Sequence, residues 1–255
     1  MSEAGAIGRF TRDEARKRVI SIGSITGGDA RRSLWVELIG QSVPEFAALA
    51  IDVCVREAFD ELKIRLAWSA LLDFSAVVER AGPGRFSEIL RAANAIGLEG
   101  PPLILEYSGP NRGADKLPPL PDPLGDRLSL GHKKTAARGM RSHLLERLLK
   151  DPDPRVVREV LRNPRLREEE VLAIASRRPS SEELFNHLAR ATRWIVRQPV
   201  ARAIAMNPYA PVRLALMLMV TLPDTVLAEA AKIEGLHPAV RSGALKLIAL
   251  RGERV

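Results

Sequence analysis

The chain has a single cysteine, Cys54, so no disulfide framework and no cysteine-rich zinc site forms within it. Val53 and Val55 flank this residue, and the apolar setting predicts a buried, inert thiol. Aromatic residues are only 4% of the sequence, which argues against a reader of single strands that stacks bases on aromatic platforms. Long hydrophobic runs are missing as well. The longest, residues 214–220, falls far short of the roughly 20 residues a membrane helix requires. The first thirty residues mix Arg12, Asp13, Glu14, Arg16, Lys17 and Arg18 with short apolar runs, without the order of a signal peptide. The chain therefore reads as soluble and cytoplasmic.

Catalytic signatures are also lacking. Gly27-Gly28 is not followed by the Lys and Ser or Thr of a phosphate loop, and no Gly-x-Ser-x-Gly elbow occurs. His132, His143, His187 and His237 have no His or Cys partner at metal-ligand spacing, so satisfied or surface histidines are expected. Glu168-Glu169-Glu170 fans around a helix start, where it favours the positive end of the dipole and makes no paired-carboxylate site. No enzyme, no cofactor and no metal are expected.

What is present is a globular composition. Of 255 residues, 46% are hydrophobic and 27% charged, enough apolar surface to exclude global disorder. No apolar/polar alternation lasts long enough for a strand, and the pattern predicts an all-α fold. Three parts are expected: a helical N-terminal domain over 1–98, a Pro/Gly-rich linker over 99–130, and a helical repeat domain over 131–255. The linker holds seven of the 18 prolines, and residues 117–123 favour an extended backbone. One short extended piece is expected within it, at 103–107. A proline-rich docking peptide is the alternative to simple spacing.

Helix signals bracket this segment. Thr11 and Glu14 form a capping box, and Pro44 suits the first turn of a helix carrying Phe46, Leu49, Ala50 and Val53 at helical spacing. A further helix is expected from about 85 to 95. After the linker, Asp151-Pro152-Asp153-Pro154 starts a helix that stops at Asn163-Pro164. Another is expected over about 168–176, and a third is capped by Ser180 with Glu183 and runs on through Leu184, Leu188 and Ala191. Asn207-Pro208 then repeats the earlier stop, with Arg202 five residues before it as Arg158 is before Asn163. Pro238-Ala239-Val240-Arg241 echoes Pro154-Arg155-Val156-Val157-Arg158. The result is a period near 40 residues, read as two helices per unit.

These segments resemble HEAT-like repeats, and the two Asn-Pro stops resemble the leucine-rich-repeat-variant subtype of bacterial proteins. The resemblance spans about residues 135–250. It implies a superhelix of helix pairs that binds a macromolecule on one face. Some DNA glycosylases for alkylated purines share such repeats, which would imply aromatic residues and an aspartate lining a basic groove. Trp68 and Asp73 lie outside the detectable repeats, and Trp194 has no aspartate within one turn, so that catalytic set does not map onto this chain.

The formal charge of +8 is segregated. Residues 1–100 carry 13 basic and 14 acidic side chains, residues 101–130 carry 3 and 4, and residues 131–255 carry 23 and 13. Two rows in the last segment have helical spacing. Lys134, Arg138 and Arg141 would share the face of a helix whose other side carries Leu144, Leu145 and Leu148. Arg190, Arg193 and Arg197 would share another beside Trp194. Such rows suit phosphate contact and ring stacking, although the plainer reading is a solvated face with a core tryptophan. Arg158, Arg202 and Arg241 are expected to be structural, bridging to carboxylates along the stack.

The function expected from these features is a non-enzymatic scaffold that binds a protein with an acidic surface through the basic repeat domain. Sequence-independent binding of nucleic-acid phosphates by the same surface is the alternative, and an anionic membrane surface is a third partner. No small-molecule cofactor is expected.

Overall fold

A computed structural model of the protein describes residues 10–107, 128–139 and 143–253. Local signals set its first helices. Thr11 accepts a hydrogen bond from the Glu14 amide, and Glu14 accepts one from the Thr11 amide, so the capping box opens α1 (Arg12–Ser24). α2 (Gly28–Gln41) follows Gly27, whose φ of 94° lies in the region open to glycine. Pro44 occupies the first turn of α3 (Pro44–Glu57), where its missing N–H would have had no helical partner. α4 (Leu62–Ser69), α5 (Phe74–Ala81) and α6 (Pro83–Ala95) complete this part. Gly23 lets α1 approach α4 closely, since a Cβ there would lie 1.8 Å from the Lys63 carbonyl oxygen.

Part of the segment read as a linker is helical. Gly100–Leu105 forms a helix, α7, with all six residues buried, where an extended piece near 103–107 was expected. Pro101 and Pro102 sit in the first turn and lose no helical hydrogen bond there, and Leu103, Ile104 and Leu105 supply core contacts. The proline-rich stretch at 117–123 lies outside the described residues.

The remaining helices fall into three groups of three principal helices, one more per unit than the sequence suggested. The first holds α8 (Leu130–Arg138), α9 (His143–Leu148) and α10 (Pro154–Leu161). The second holds α11 (Glu168–Ala175), α12 (Glu182–Arg190), the one-turn α13 (Thr192–Ile195) and α14 (Gln198–Ala205). The third holds α15 (Val212–Met219), α16 (Asp224–Lys232) and α17 (Pro238–Gly252). α12 is capped by Ser181, one residue later than expected, while the Ser180 hydroxyl donates to the Arg177 carbonyl. The fold class is all-α: 72% is helical, with no strand among the described residues.

In each group the first and third helices pack together, and the end of the third closes the end of the first. The Asn163 side-chain amide donates to the Ala137 and Gly139 carbonyls at 2.7 and 3.1 Å. Asn207 does the same to Ala175 and Arg177, at 2.9 and 3.0 Å. Their Oδ1 atoms accept from the Arg165 and Tyr209 amides, two residues on. In the third group Arg251 takes the role and donates to Met219, Val220 and Leu222 carbonyls. These buried side chains answer the carbonyls that every helix leaves at its C-terminal end.

The first seven helices and the three groups share one hydrophobic core. α7 packs on α15, and α3 packs on α17. The Trp68 indole donates to the Met217 carbonyl at 2.7 Å, and Arg213 donates to the Ile104 and Leu105 carbonyls from the other side. Cys54 is fully buried in this core, and burial pushes its thiol pKa up. Among the described residues no helix is long and apolar enough to cross a membrane.

Candidate functional site

The two predicted basic rows do not lie on single helices. α8 ends at Arg138, and Leu144, Leu145 and Leu148 belong to the separate α9; Arg141 lies outside the described residues. Arg190 ends α12, Arg193 lies on α13, and Arg197 precedes α14, so the i, i+3, i+7 geometry is broken at Ala191. Trp194 is buried, and its indole donates to the Leu161 carbonyl at 3.1 Å. It is a core residue joining two groups, not an open stacking surface. Arg193 and Arg197 cover its ring from 4.6 and 5.0 Å.

The break at Ala191 creates a different arrangement. Between α10, α12 and α13 lies a cleft of about 400 Å³, lined by Arg158, Arg162, His187, Arg190, Ala191, Thr192, Arg193, Leu161 and Trp194. Among the described residues four guanidiniums line it, and no carboxylate does. Arg158 and Arg162 lie one helical turn apart on α10, which places both on one face. The sequence reading assigned Arg158 to a structural ladder and passed over Arg162; it expected a satisfied or surface histidine at 187, whereas the ring is buried with neither nitrogen bonded among the described residues. The spacing of Arg158 and Arg162 was the available signal.

The carboxylates behind the cleft hold these arginines in place. Glu159 is buried and accepts from Arg138 at 2.8 Å and Arg158 at 3.1 Å, with Arg162 at 3.7 Å. Arg190 pairs with Asp73 at 3.1 Å, and Arg32 stands 3.8 Å from the same carboxylate. Arg193 donates to the Pro164 carbonyl, and Arg197 pairs with Glu168. Lys134 is half-buried on α8 and does not line the cleft.

His187 is only 8% exposed, and neither ring nitrogen makes a hydrogen bond among the described residues. Its nearest carboxylate oxygen, Glu183 Oε1, is 3.7 Å from Nε2. Burial holds its pKa below the ordinary value, aided by Arg158, Arg190 and Arg162 and opposed by Glu183. The other described imidazoles are satisfied: Nδ1 of His132 meets the Ser129 hydroxyl, and Nδ1 of His237 accepts from the Ala239 amide.

Of the three arginines expected to run along the stack, Arg202 bridges to the next group, reaching Glu229 at 2.7 Å. Arg158 pairs within its own helix, and Arg241 donates to the Ala231 carbonyl at 3.2 Å. Trp68 and Asp73, weighed for glycosylase chemistry, are a core hydrogen-bond donor and the partner of Arg190.

Glu159 gives the site a pH dependence. Its hydrogen bond from Arg138, with help from Arg158, holds its pKa below the ordinary glutamate value. A carboxylate lowered in the folded state adds stability above its unfolded pKa and loses it as pH falls through the lowered value. Replacing Glu159 with Gln is expected to lower the urea midpoint at neutral pH and to flatten its decline below the ordinary glutamate range. Equal midpoints for both proteins at neutral pH would count against this role.

Fold and cleft together define the class: an all-α protein whose second half carries an arginine-lined cleft with no carboxylate among its described lining residues. Compared with known protein families, with curated proteins and with solved structures, the chain matches none.

Proposed function

We propose that the protein is a non-enzymatic scaffold of HEAT-like helical repeats that binds an acidic protein surface through the cleft face of α10, α12 and α13. The observation that carries this reading is the cleft lining, four guanidiniums with no carboxylate among them. Guanidiniums present fixed forks of donors that match carboxylate and phosphate oxygens, and they remain charged at every physiological pH. The repeated closure of each helix group by a buried Asn or Arg supports a rigid platform beneath that face.

Calorimetric titration of the full chain with a glutamate-rich peptide tests the proposal. Binding is expected, weakening with salt as exposed charge pairs are screened, and an uncharged peptide of the same length is expected not to bind. No heat from any acidic peptide at low salt would sink the reading. A DNA duplex that bound more tightly than any acidic peptide would replace it with phosphate-backbone binding.

A further inference from the structure

We infer that the cleft between α10, α12 and α13 is a phosphate-monoester site, taking a phosphorylated side chain of the partner protein. The inference rests on the scaffold reading and narrows it to one ligand chemistry. Its basis is the match between what lines the cleft and what such an anion offers.

A carboxylate brings two oxygens and a single charge. A phosphorylated side chain brings three acceptor oxygens and a charge of about −1.5 to −2 at neutral pH. The cleft provides Arg158, Arg162, Arg190 and Arg193 at its walls. Glu159 and Asp73 answer some of this charge from behind, but each is shared with a further arginine, Arg138 and Arg32. Bidentate guanidinium contacts to a tetrahedral anion use this excess in a way that a lone carboxylate does not.

His187 is the second, independent observation. A buried polar side chain without a hydrogen bond is costly, and its occurrence in a cleft calls for a partner. The ring lines the cleft on the same helix as Arg190, and its two nitrogens are buried and unbonded among the described residues, so a turn of the ring is needed to offer an N–H to an anion there. A neutral ring donates one N–H to an anion, and a protonated ring donates two. The groups facing it are Glu183 and Arg190 on α12 and Arg158 and Arg162 on α10. A bound dianion offsets the arginine charge and favours the imidazolium, so phosphate raises the His187 pKa.

A nucleic-acid backbone fits less well. Its phosphates are diesters with one charge each, set in a row, and they are read by a continuous cationic track. Beyond the cleft that track is interrupted: Arg138 is held by Glu159, Arg197 by Glu168, and Arg155 by Asp153. The neighbouring tryptophan is buried and offers no stacking face.

The test is calorimetry on the full chain with four probes at one salt concentration. These are a blocked Gly-phosphoserine-Gly peptide, its glutamate counterpart, inorganic phosphate and a short DNA duplex. The phosphopeptide is expected to bind about ten-fold or more tighter than the glutamate peptide, the scale of one additional charge-assisted hydrogen bond. Arg162→Ala is expected to weaken it by a similar factor. That side chain is 68% exposed and its carboxylate contact is 3.7 Å, so the variant keeps its fold, which thermal melting verifies. Nuclear magnetic resonance of the His187 ring is expected to show its pKa rising on addition of the phosphopeptide.

Equal affinity for phosphoserine and glutamate peptides overturns the phosphate inference and leaves the scaffold reading in place. Absence of binding by both peptides overturns the scaffold reading itself. Inorganic phosphate binding as tightly as the phosphopeptide overturns the protein-borne source, and a tighter duplex overturns the choice of macromolecule. An unchanged phosphopeptide affinity in Arg162→Ala, or an unmoved His187 pKa, overturns the location.

Discussion

Replacing Trp68 with alanine is expected to lower the stability of the chain by about 3–5 kcal/mol, the cost of truncating a large buried aromatic. Trp68 is 1% exposed, and it projects from α4 to the end of α15. Two losses combine there. The ring leaves a cavity that rigid helices fill only in part, and the Met217 carbonyl loses its 2.7 Å donor while still buried. Trp68→Phe separates them, because it keeps most of the volume and removes the N–H; about 1–3 kcal/mol is expected for that variant. Urea denaturation followed by circular dichroism measures both. A midpoint for Trp68→Ala within error of the parent would mean that the first seven helices and the later groups hold together without this contact.

The second large effect is expected at Asp52. Its carboxylate, on α3, is buried and accepts from Arg12 on α1 at 2.7 Å, from Arg56 at 3.1 Å, and from the Gly100 amide at 3.2 Å. Gly100 is needed for the last contact, since a Cβ there would stand 2.6 Å from Asp52 Oδ1. Arg56 extends the chain of bonds to the Leu250 carbonyl and Glu253 at the end of α17. Asp52→Ala removes the centre of this network, leaves Arg12 with Glu57 and Arg56 with Glu253 as their remaining anions, and takes the acceptor from the Gly100 amide. Breaking a buried pair by deleting one partner costs about 3–5 kcal/mol, and the lower end is expected because Arg12 keeps access to water. Asp52→Asn retains the shape and recovers part of the loss. If Asp52→Ala unfolds at the parental urea concentration, the network carries no net stability.

Much of the fold was legible because its signals are local. The capping box at Thr11, Pro44 and Pro154 in first turns, and Asp153 accepting from the Arg155 amide all formed where the residue types dictated. The two Asn-Pro stops marked equivalent positions, and their side chains make equivalent bonds. What periodicity missed were interruptions within apolar stretches. α8 stops at Arg138 with Gly139 as its C-cap, and Ala191 separates α12 from α13; in the second case no proline or glycine marks the break. The buried α7 was hidden by its own prolines, which read as a spacer when seen without the core that Leu103, Ile104 and Leu105 fill.

The cleft was half legible for a related reason. Arg190, Arg193 and Trp194 were named from their spacing, yet they converge with Arg158 and Arg162 only because α10 packs beside α12. That neighbourhood is a tertiary fact. A lone histidine in a leucine-rich helix is ordinary in sequence, and His187 becomes informative only when its unbonded ring is seen among four arginines.

The closing contacts at Asn163, Asn207 and Arg251 have a consequence for how such a chain lengthens. Each group answers the end of its first helix from within, while the end of α10 in the first group is answered by Trp194 of the second. A duplicated group inserted between two others would arrive with its own closing side chain and expose no new buried carbonyl at that point. Length is decoupled from hydrogen-bond satisfaction at the first helix only, and an added copy must still supply a matching apolar face and donors of the kind that Trp194 and Arg177 offer their neighbour.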